Sequence, residues 1–332
     1  MEEQQETNDH LHFESRLDLQ PLFNHVQRMK DELGKVIIGQ HQMIDQLIVG
    51  LLVNGHVLLE GVPGVAKTLT AKLIAKTMNL NFSRIQFTPD LMPSDILGTS
   101  VFDLKTSEFQ FKKGPIFSNL VLIDEINRAP AKTQAALFEV MEERQITIDN
   151  NFFEMDKPFL VIATQNPVEQ EGTYRLPEAQ LDRFLFKIVI DYPSLEEEIS
   201  IVLRENEFKN QTKTKAVESF VSQAELLNFQ NVINDIIIEK HLISYIAKIV
   251  HSTREHSFIY LGASPRASIA ILKASKGFAA ISGRDFVTPE DIKRATLPVL
   301  RHRIIVSPER EMEGLTSEQI INQIVESIEI PR

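Results

Sequence analysis

The sequence predicts an α/β fold: a parallel sheet covered by helices, followed by a smaller all-α domain. Three observations carry this. Between residues 56 and 190, short apolar runs alternate with helical patterns, as in a helix-covered parallel sheet. One apolar run, His56–Glu60, leads into a glycine-rich loop, Gly61–Thr68, and then into a helix. Beyond Asp191-Tyr192-Pro193, every long segment is helical in pattern.

Along the chain, residues 1 to about 18 are polar and acidic and are expected to form a disordered tail. Helical spacing of apolar residues marks Leu22–Leu33 and His41–Val53, and an Asn54-Gly55 turn precedes the strand at His56–Glu60. A helix is expected from about Lys67 to Met78, then a strand at Phe82–Phe87. Asn119–Ile123 is mostly apolar and short enough for a strand buried on both faces. Ala131–Glu143 puts Ala136, Leu137, Val140 and Met141 on one helix face. Gln145–Ile148 and Phe152–Met155 flank Asp149-Asn150-Asn151, the pattern of a hairpin. Phe159–Thr164 and Phe186–Ile190 complete the strands. The helical part comprises Leu195–Asn206, Ser222–Glu239, His241–Glu255, Pro265–Ser282 and Pro289–His302. The expected division is a tail at 1–18, an α/β domain at 19–192 and a helical domain at 193–332.

Composition removes several classes of function. The 332 residues give room for one large and one small domain, and 43% apolar with 24% charged residues is the balance of a soluble globular protein. A net charge of −11 disfavours non-specific binding to nucleic acid or an anionic membrane. The absence of cysteine excludes disulfides, thiolate metal sites and cysteine nucleophiles. The histidines show no metal-binding spacing; His251 and His256 fall on different helix faces. Met1–Arg16 has neither the basic nor the apolar region of a signal peptide. The most apolar stretch, Met43–Leu59, is broken by Asp45, Gln46, Asn54, Gly55 and His56, whereas a membrane helix needs about 20 apolar residues. The expectation is a cytoplasmic protein without membrane insertion.

Residues 61–68 read Gly-Val-Pro-Gly-Val-Ala-Lys-Thr between a strand and a helix, the context of a phosphate-binding loop. Loop and helix N–H groups face the phosphates, and the helix dipole favours negative charge there. On this reading Gly61, Val62, Pro63, Gly64, Val65, Ala66, Lys67, Thr68 and Leu69 bind ATP. Lys67 reaches the β- and γ-phosphates, and the Thr68 hydroxyl ligates Mg²⁺. The position before Lys67 is usually glycine; Ala66 there would cost roughly 1 kcal/mol or more if its φ is positive. Asn119–Glu125 then places two carboxylates at the C-terminal end of a buried strand, the edge where open α/β sheets bind ligands. Asp124 is expected in the Mg²⁺ shell and Glu125 to orient and polarise the attacking water. An acidic cap on the next helix would use the same two residues.

Further segments carry a resemblance. They are Arg84–Leu91, Gly114–Phe117, Ile123–Ala129, Met141–Gln145, Val161–Pro167, Leu176–Phe184 and Gly262–Ala267. Together they resemble the MoxR family of AAA+ ATPases over roughly residues 36–305. The family accepts alanine before the phosphate-loop lysine. The chain departs from it at Arg175, where the family has proline. The resemblance implies a P-loop AAA+ core followed by a helical lid, with ATP between them. It implies Asn166 as a sensor between the acids and the γ-phosphate, Arg183 as an arginine finger reaching a neighbouring subunit's site, and Arg266 as a second sensor on the lid. Each has a plain structural alternative: a capping Asn, an Asp182–Arg183 surface pair and a solvated arginine at a helix start. Ile37 and Ile38 resemble the segment against the adenine, though a core would use the same apolar pair. Phe87–Ser94 and Phe109–Phe117 resemble insertions near a ring axis, and His302-Arg303 resembles a family motif with no assigned chemistry. The implied activity is Mg²⁺-dependent ATP hydrolysis by a homo-oligomeric ring, a hexamer, that remodels or matures a protein client. A partner with a von Willebrand factor A domain is implied by the resemblance alone. The alternatives are a non-hydrolysing ATP-bound switch and a DNA-linked motor, the latter disfavoured by the acidic charge.

Overall fold

The computed structural model describes residues 16–62, 64–167, 174, 176–208 and 213–330. Most of the expected tail, together with Pro63 and Arg175, lies outside the described residues. Five parallel strands form the main sheet: β1 (Val57–Gly61), β2 (Phe82–Gln86), β3 (Leu120–Asp124), β4 (Leu160–Gln165) and β5 (Phe186–Ile190). Their order is β2-β3-β4-β1-β5. Helices of eight residues or more are α1 (Gln20–Gly34), α2 (His41–Leu52), α3 (Lys67–Thr77), α4 (Ala131–Glu143), α5 (Leu195–Phe208), α6 (Gln223–Asn234), α7 (Lys240–Glu255), α8 (Pro265–Ile281), α9 (Pro289–Leu300) and α10 (Ser317–Ser327).

The strands are apolar on both faces because both are covered. Leu120 and Leu122 belong to one buried cluster, Val121 and Ile123 to the other, as the period of two demands. Val57 and Leu59 split from Leu58 in the same way. The second cluster lies under α4, with Leu137, Phe138 and Met141. The first continues through α1, α2 and α3 into the C-terminal helices, taking in Ile249, Phe278, Val299 and Ile320. Gly277 lets α8 lie against α2, since a Cβ there would stand 2.6 Å from Val49 Cγ1. Residues on both sides of position 193 therefore share one core.

Two local expectations need correction. The helix expected over Ser222–Glu239 stops at Asn234, and the next begins at Lys240. Between them Ile237 bridges Phe286, donating to Asp285 O at 2.9 Å and accepting from Val287 N at 2.9 Å. That pairing outcompetes helix continuation. The hairpin pairs Gln145–Ile148 with Asn151–Glu154, so its turn is the two residues Asp149 and Asn150, both at positive φ as a tight hairpin requires. A second hairpin, Gly98–Asp103 with Glu108–Lys113, and the helix α10 were not foreseen.

Candidate active site

The phosphate loop joins β1 to α3. Gly61 is needed at the strand end, because a Cβ would meet Ile190 O at 2.8 Å where β1 and β5 run side by side. Gly64 has φ +92°, a conformation open to glycine. Ala66 stands at φ 59°, ψ 19°, in the left-handed region, and so carries the strain of roughly 1 kcal/mol that its sequence position suggested. Lys67 and Thr68 open α3, where the first N–H groups have no intrahelical acceptor. Lys67 Nζ donates to Gly61 O at 2.6 Å, which folds the ammonium back over the loop.

The acid pair stands at the C-terminal end of β3. Asp124 is buried, accepts from Arg84 Nε at 2.6 Å and accepts from the Thr164 hydroxyl at 3.2 Å. Glu125 sits at φ 58°, ψ 53°, strained for a residue with a Cβ. Its backbone N–H donates to Thr164 Oγ1 at 3.0 Å, so one threonine ties both acids to β4. The Glu125 carboxylate accepts from Gln86 Nε2 at 2.7 Å and pairs with Arg128 Nε at 3.1 Å. Asn166, buried, follows β4 directly.

These groups line one cleft of about 350 Å³, bounded by Gly64, Ala66, Lys67, Thr68, Leu69, Arg84, Gln86, Asp124, Glu125, Thr164 and Asn166. Lys67 and Arg84 offset the two carboxylates, which makes the cleft a polar site for an anion accompanied by a cation. Among the described residues no three His, Cys, Asp or Glu side chains cluster as a protein-only metal cage. Thr68 and Asp124 supply two oxygen donors, which suits Mg²⁺, an ion that keeps water and phosphate ligands.

Other expected site residues stand elsewhere. Gly61, Val62 and Val65 shape the loop from behind the cleft, with Val65 in the core. Ile37 is buried in the first core cluster, and Ile38 is half-buried beside Gly39. Arg183 and Arg266 are absent from the cleft lining and both meet Glu142 instead. Arg183 Nη1 donates to Phe138 O at 2.6 Å and pairs with Glu142 Oε2 at 2.6 Å. Arg266 Nη2 pairs with Glu142 Oε1 at 3.2 Å. Arg266 thereby stands near Arg183 and away from this chain's cleft. The reason lies in the docking of α8, whose leading Ser264 hydroxyl donates to Asp182 Oδ2 at 3.3 Å beside Arg183.

Several residues were missed. Arg84 and Gln86 alternate on β2, and Gln86 lies in register with Asp124; two polar residues two apart on a short strand were the available signal. Glu142 had none beyond its place in a family segment. His302 and Arg303 were seen but given no role. Arg303, whose side chain is 4% exposed, pairs with Asp182 Oδ1 at 2.7 Å and donates to the carbonyls of Asp182, Phe184, Leu185 and Val299. His302 Nε2 lies 3.0 Å from Phe184 O. Together they fix the backbone on both sides of Arg183.

Comparison with known proteins finds relatives over most of the chain. Residues 56–186 match the ATPase family associated with various cellular activities (AAA), and residues 251–324 match the AAA lid domain. The chain is 44% identical over 310 residues to Chaperone MoxR1 of Mycobacterium tuberculosis, covering 91% of this chain and 81% of that protein. It is 42% identical over 315 residues to the uncharacterized protein YeaC of Bacillus subtilis, covering 95% and 96%. A solved structure from Cytophaga hutchinsonii superposes with a TM-score of 0.88 at 45% identity, covering 95% of this chain and 97% of that one. Among the described residues no helix is long and apolar enough to cross a membrane.

Proposed function

Because the chain belongs to the MoxR family of AAA+ ATPases, we propose that it hydrolyses ATP with Mg²⁺ as a homo-oligomeric ring, a hexamer, and uses the turnover to remodel or mature a protein client. The observation that carries this reading is the separation of two half-sites. Lys67, Thr68, Asp124, Glu125 and Asn166 belong to one cleft, while Arg183 and Arg266 share Glu142 outside it. A single chain then holds a binding site without its cationic finger, and a neighbour in a ring completes it.

In that reading the loop N–H groups and Lys67 hold the phosphates, and Thr68 and Asp124 hold the ion. Mg²⁺, when bound, neutralises charge on the β- and γ-phosphate oxygens. Glu125 leaves Gln86 and Arg128, turns towards the γ-phosphate and accepts a proton from water. The water oxygen bonds to phosphorus as the bond to the bridging oxygen breaks, releasing ADP and phosphate. Asn166 orients that water. Arg183 of the neighbour stabilises charge on the transferring group, an effect worth roughly 10³ to 10⁵ in rate, with Arg266 beside it. Ile37 and Ile38 serve the adenine end. The client, and any partner with a von Willebrand factor A domain, follow from the family alone.

Steady-state phosphate release tests the reading. Glu125→Gln should bind ATP yet release phosphate at least 100-fold more slowly than wild type, and wild-type turnover per chain should fall on dilution below the assembly concentration. Equal rates for the two proteins would leave a non-hydrolysing switch, and turnover independent of dilution would remove the shared site.

A further inference from the structure

We propose that the ring seam is made by α8 of one copy lying against α5 of the next. The proposal rests on the ring reading above and names the surfaces that close it.

α5 is an amphipathic helix with its apolar side outward. Leu195, Ile199, Val202 and Leu203 follow the spacing of a single helix face, and all four are exposed, Leu195 by 69%. Glu196 and Glu198, both exposed, flank that stripe. Such a face on a single chain marks a binding surface. α8 offers the complement. Arg266, Ile269, Lys273 and Lys276 recur at helical spacing on one side; Arg266 and Lys273 are exposed and Ile269 is 54% exposed. Lys273 and Lys276 also border a cleft of about 660 Å³ with Arg144 and Lys157, and its lining includes no carboxylate. An acidic apolar stripe and a basic one with an apolar residue on it are complementary within a single sequence, so the occupant is a second copy of this chain.

The positions of the two stripes agree with the shared nucleotide site. α5 crosses the segment expected beside the adenine: a Cβ on Gly39 would collide with the Glu197 carboxylate, and Arg204 donates to Gly34 O. Arg266 to Lys276 spans on the order of 15 Å of helix at 1.5 Å per residue, about the length of a nucleotide. A neighbour that delivers Arg183 and Arg266 to the γ-phosphate end lays the rest of α8 along the adenine end, where α5 lies. The contact is head-to-tail, the kind that closes into a ring rather than a two-fold dimer.

Sedimentation velocity with Mg²⁺ and ATPγS tests this, with ATPγS affinity and thermal melting measured alongside. Wild type should assemble. Val202→Glu with Leu203→Glu should stay monomeric while keeping wild-type melting and ATPγS affinity within about twofold. Glu196→Lys with Glu198→Lys, and separately Lys273→Glu with Lys276→Glu, should each raise the assembly concentration at least tenfold. A chain carrying all four reversals should assemble again. The proposal is overturned if the α5 variants assemble like wild type, or if the four-fold reversal assembles no better than either pair. A wild type that stays monomeric would overturn the ring reading itself, a separate result.

Discussion

Acid should weaken this fold in a window set by His56. The residue precedes β1 and ties three elements together: its Nδ1 accepts from Val161 N at 2.9 Å, so Nε2 carries the proton and donates to Met141 O at 3.0 Å. Burial, reinforced by the positive charge of Arg144, lowers its pKa from 6.5 to about 4. The folded chain then binds fewer protons than the unfolded chain between those values, so stability rises with pH across the window and is lost as pH falls from 6.5 towards 4. Lowering the pKa from 6.5 to about 4 corresponds to about 3 kcal/mol, a large part of an ordinary 5–15 kcal/mol. Urea unfolding of wild type and His56→Gln at pH 7.5 and pH 4 measures it. Wild type should lose about 3 kcal/mol more than the variant over that interval. His302, whose pKa burial also pushes well down, remains in both proteins and cancels. Equal losses in the two proteins would refute the assignment.

Three further outcomes can be checked directly. Arg183→Ala should lower kcat roughly 10³-fold or more with ATP affinity held, since Arg183 lies outside the cleft; binding and single-turnover rates separate the two, and a wild-type kcat would exclude the finger role. Glu142→Gln keeps the size but removes the charge shared by Arg183 and Arg266, so kcat should fall about tenfold, one lost charge-assisted contact of about 1.4 kcal/mol, with KM for ATP unchanged. A KM effect without a kcat effect would argue against a positioning role. Arg303→Ala removes a nearly covered guanidinium from half-buried Asp182 and four carbonyls, and chemical unfolding should show a loss of about 3 kcal/mol; a loss under 1 kcal/mol would mean the network relaxes.

Much of the architecture was legible because burial on both faces writes itself as an apolar run. β3 and β4 are such runs, and the acids that end the first could be placed at a ligand-binding edge from the apolar run before them, whereas the role of the asparagine after the second came only with the family resemblance. Ala66 could be flagged as strained because glycine is the usual residue there, and its φ bears that out. What escaped depends on contacts between distant segments. Ile237 leaves its helix only because Phe286 lies beside it. Gln86 and Arg84 matter only because β2 runs next to β3 in a register that sequence does not reveal. Arg266 shares Glu142 with Arg183 only because α8 docks beside Asp182.

The shared core has a mechanical consequence. One continuous apolar cluster runs from Leu19 to Ile324, and Gly277 seats α8 directly on α2. A close-packed interior is stiff and resists gradual shear. A chain built this way behaves as a lever, with little compliance between its strands and its C-terminal helices. In the proposed ring, the softness needed for a stroke would reside at the seams between copies, where a few exposed side chains would meet. Strain raised at one nucleotide would pass through the body of the chain and emerge at its far edge, as motion of the next seat.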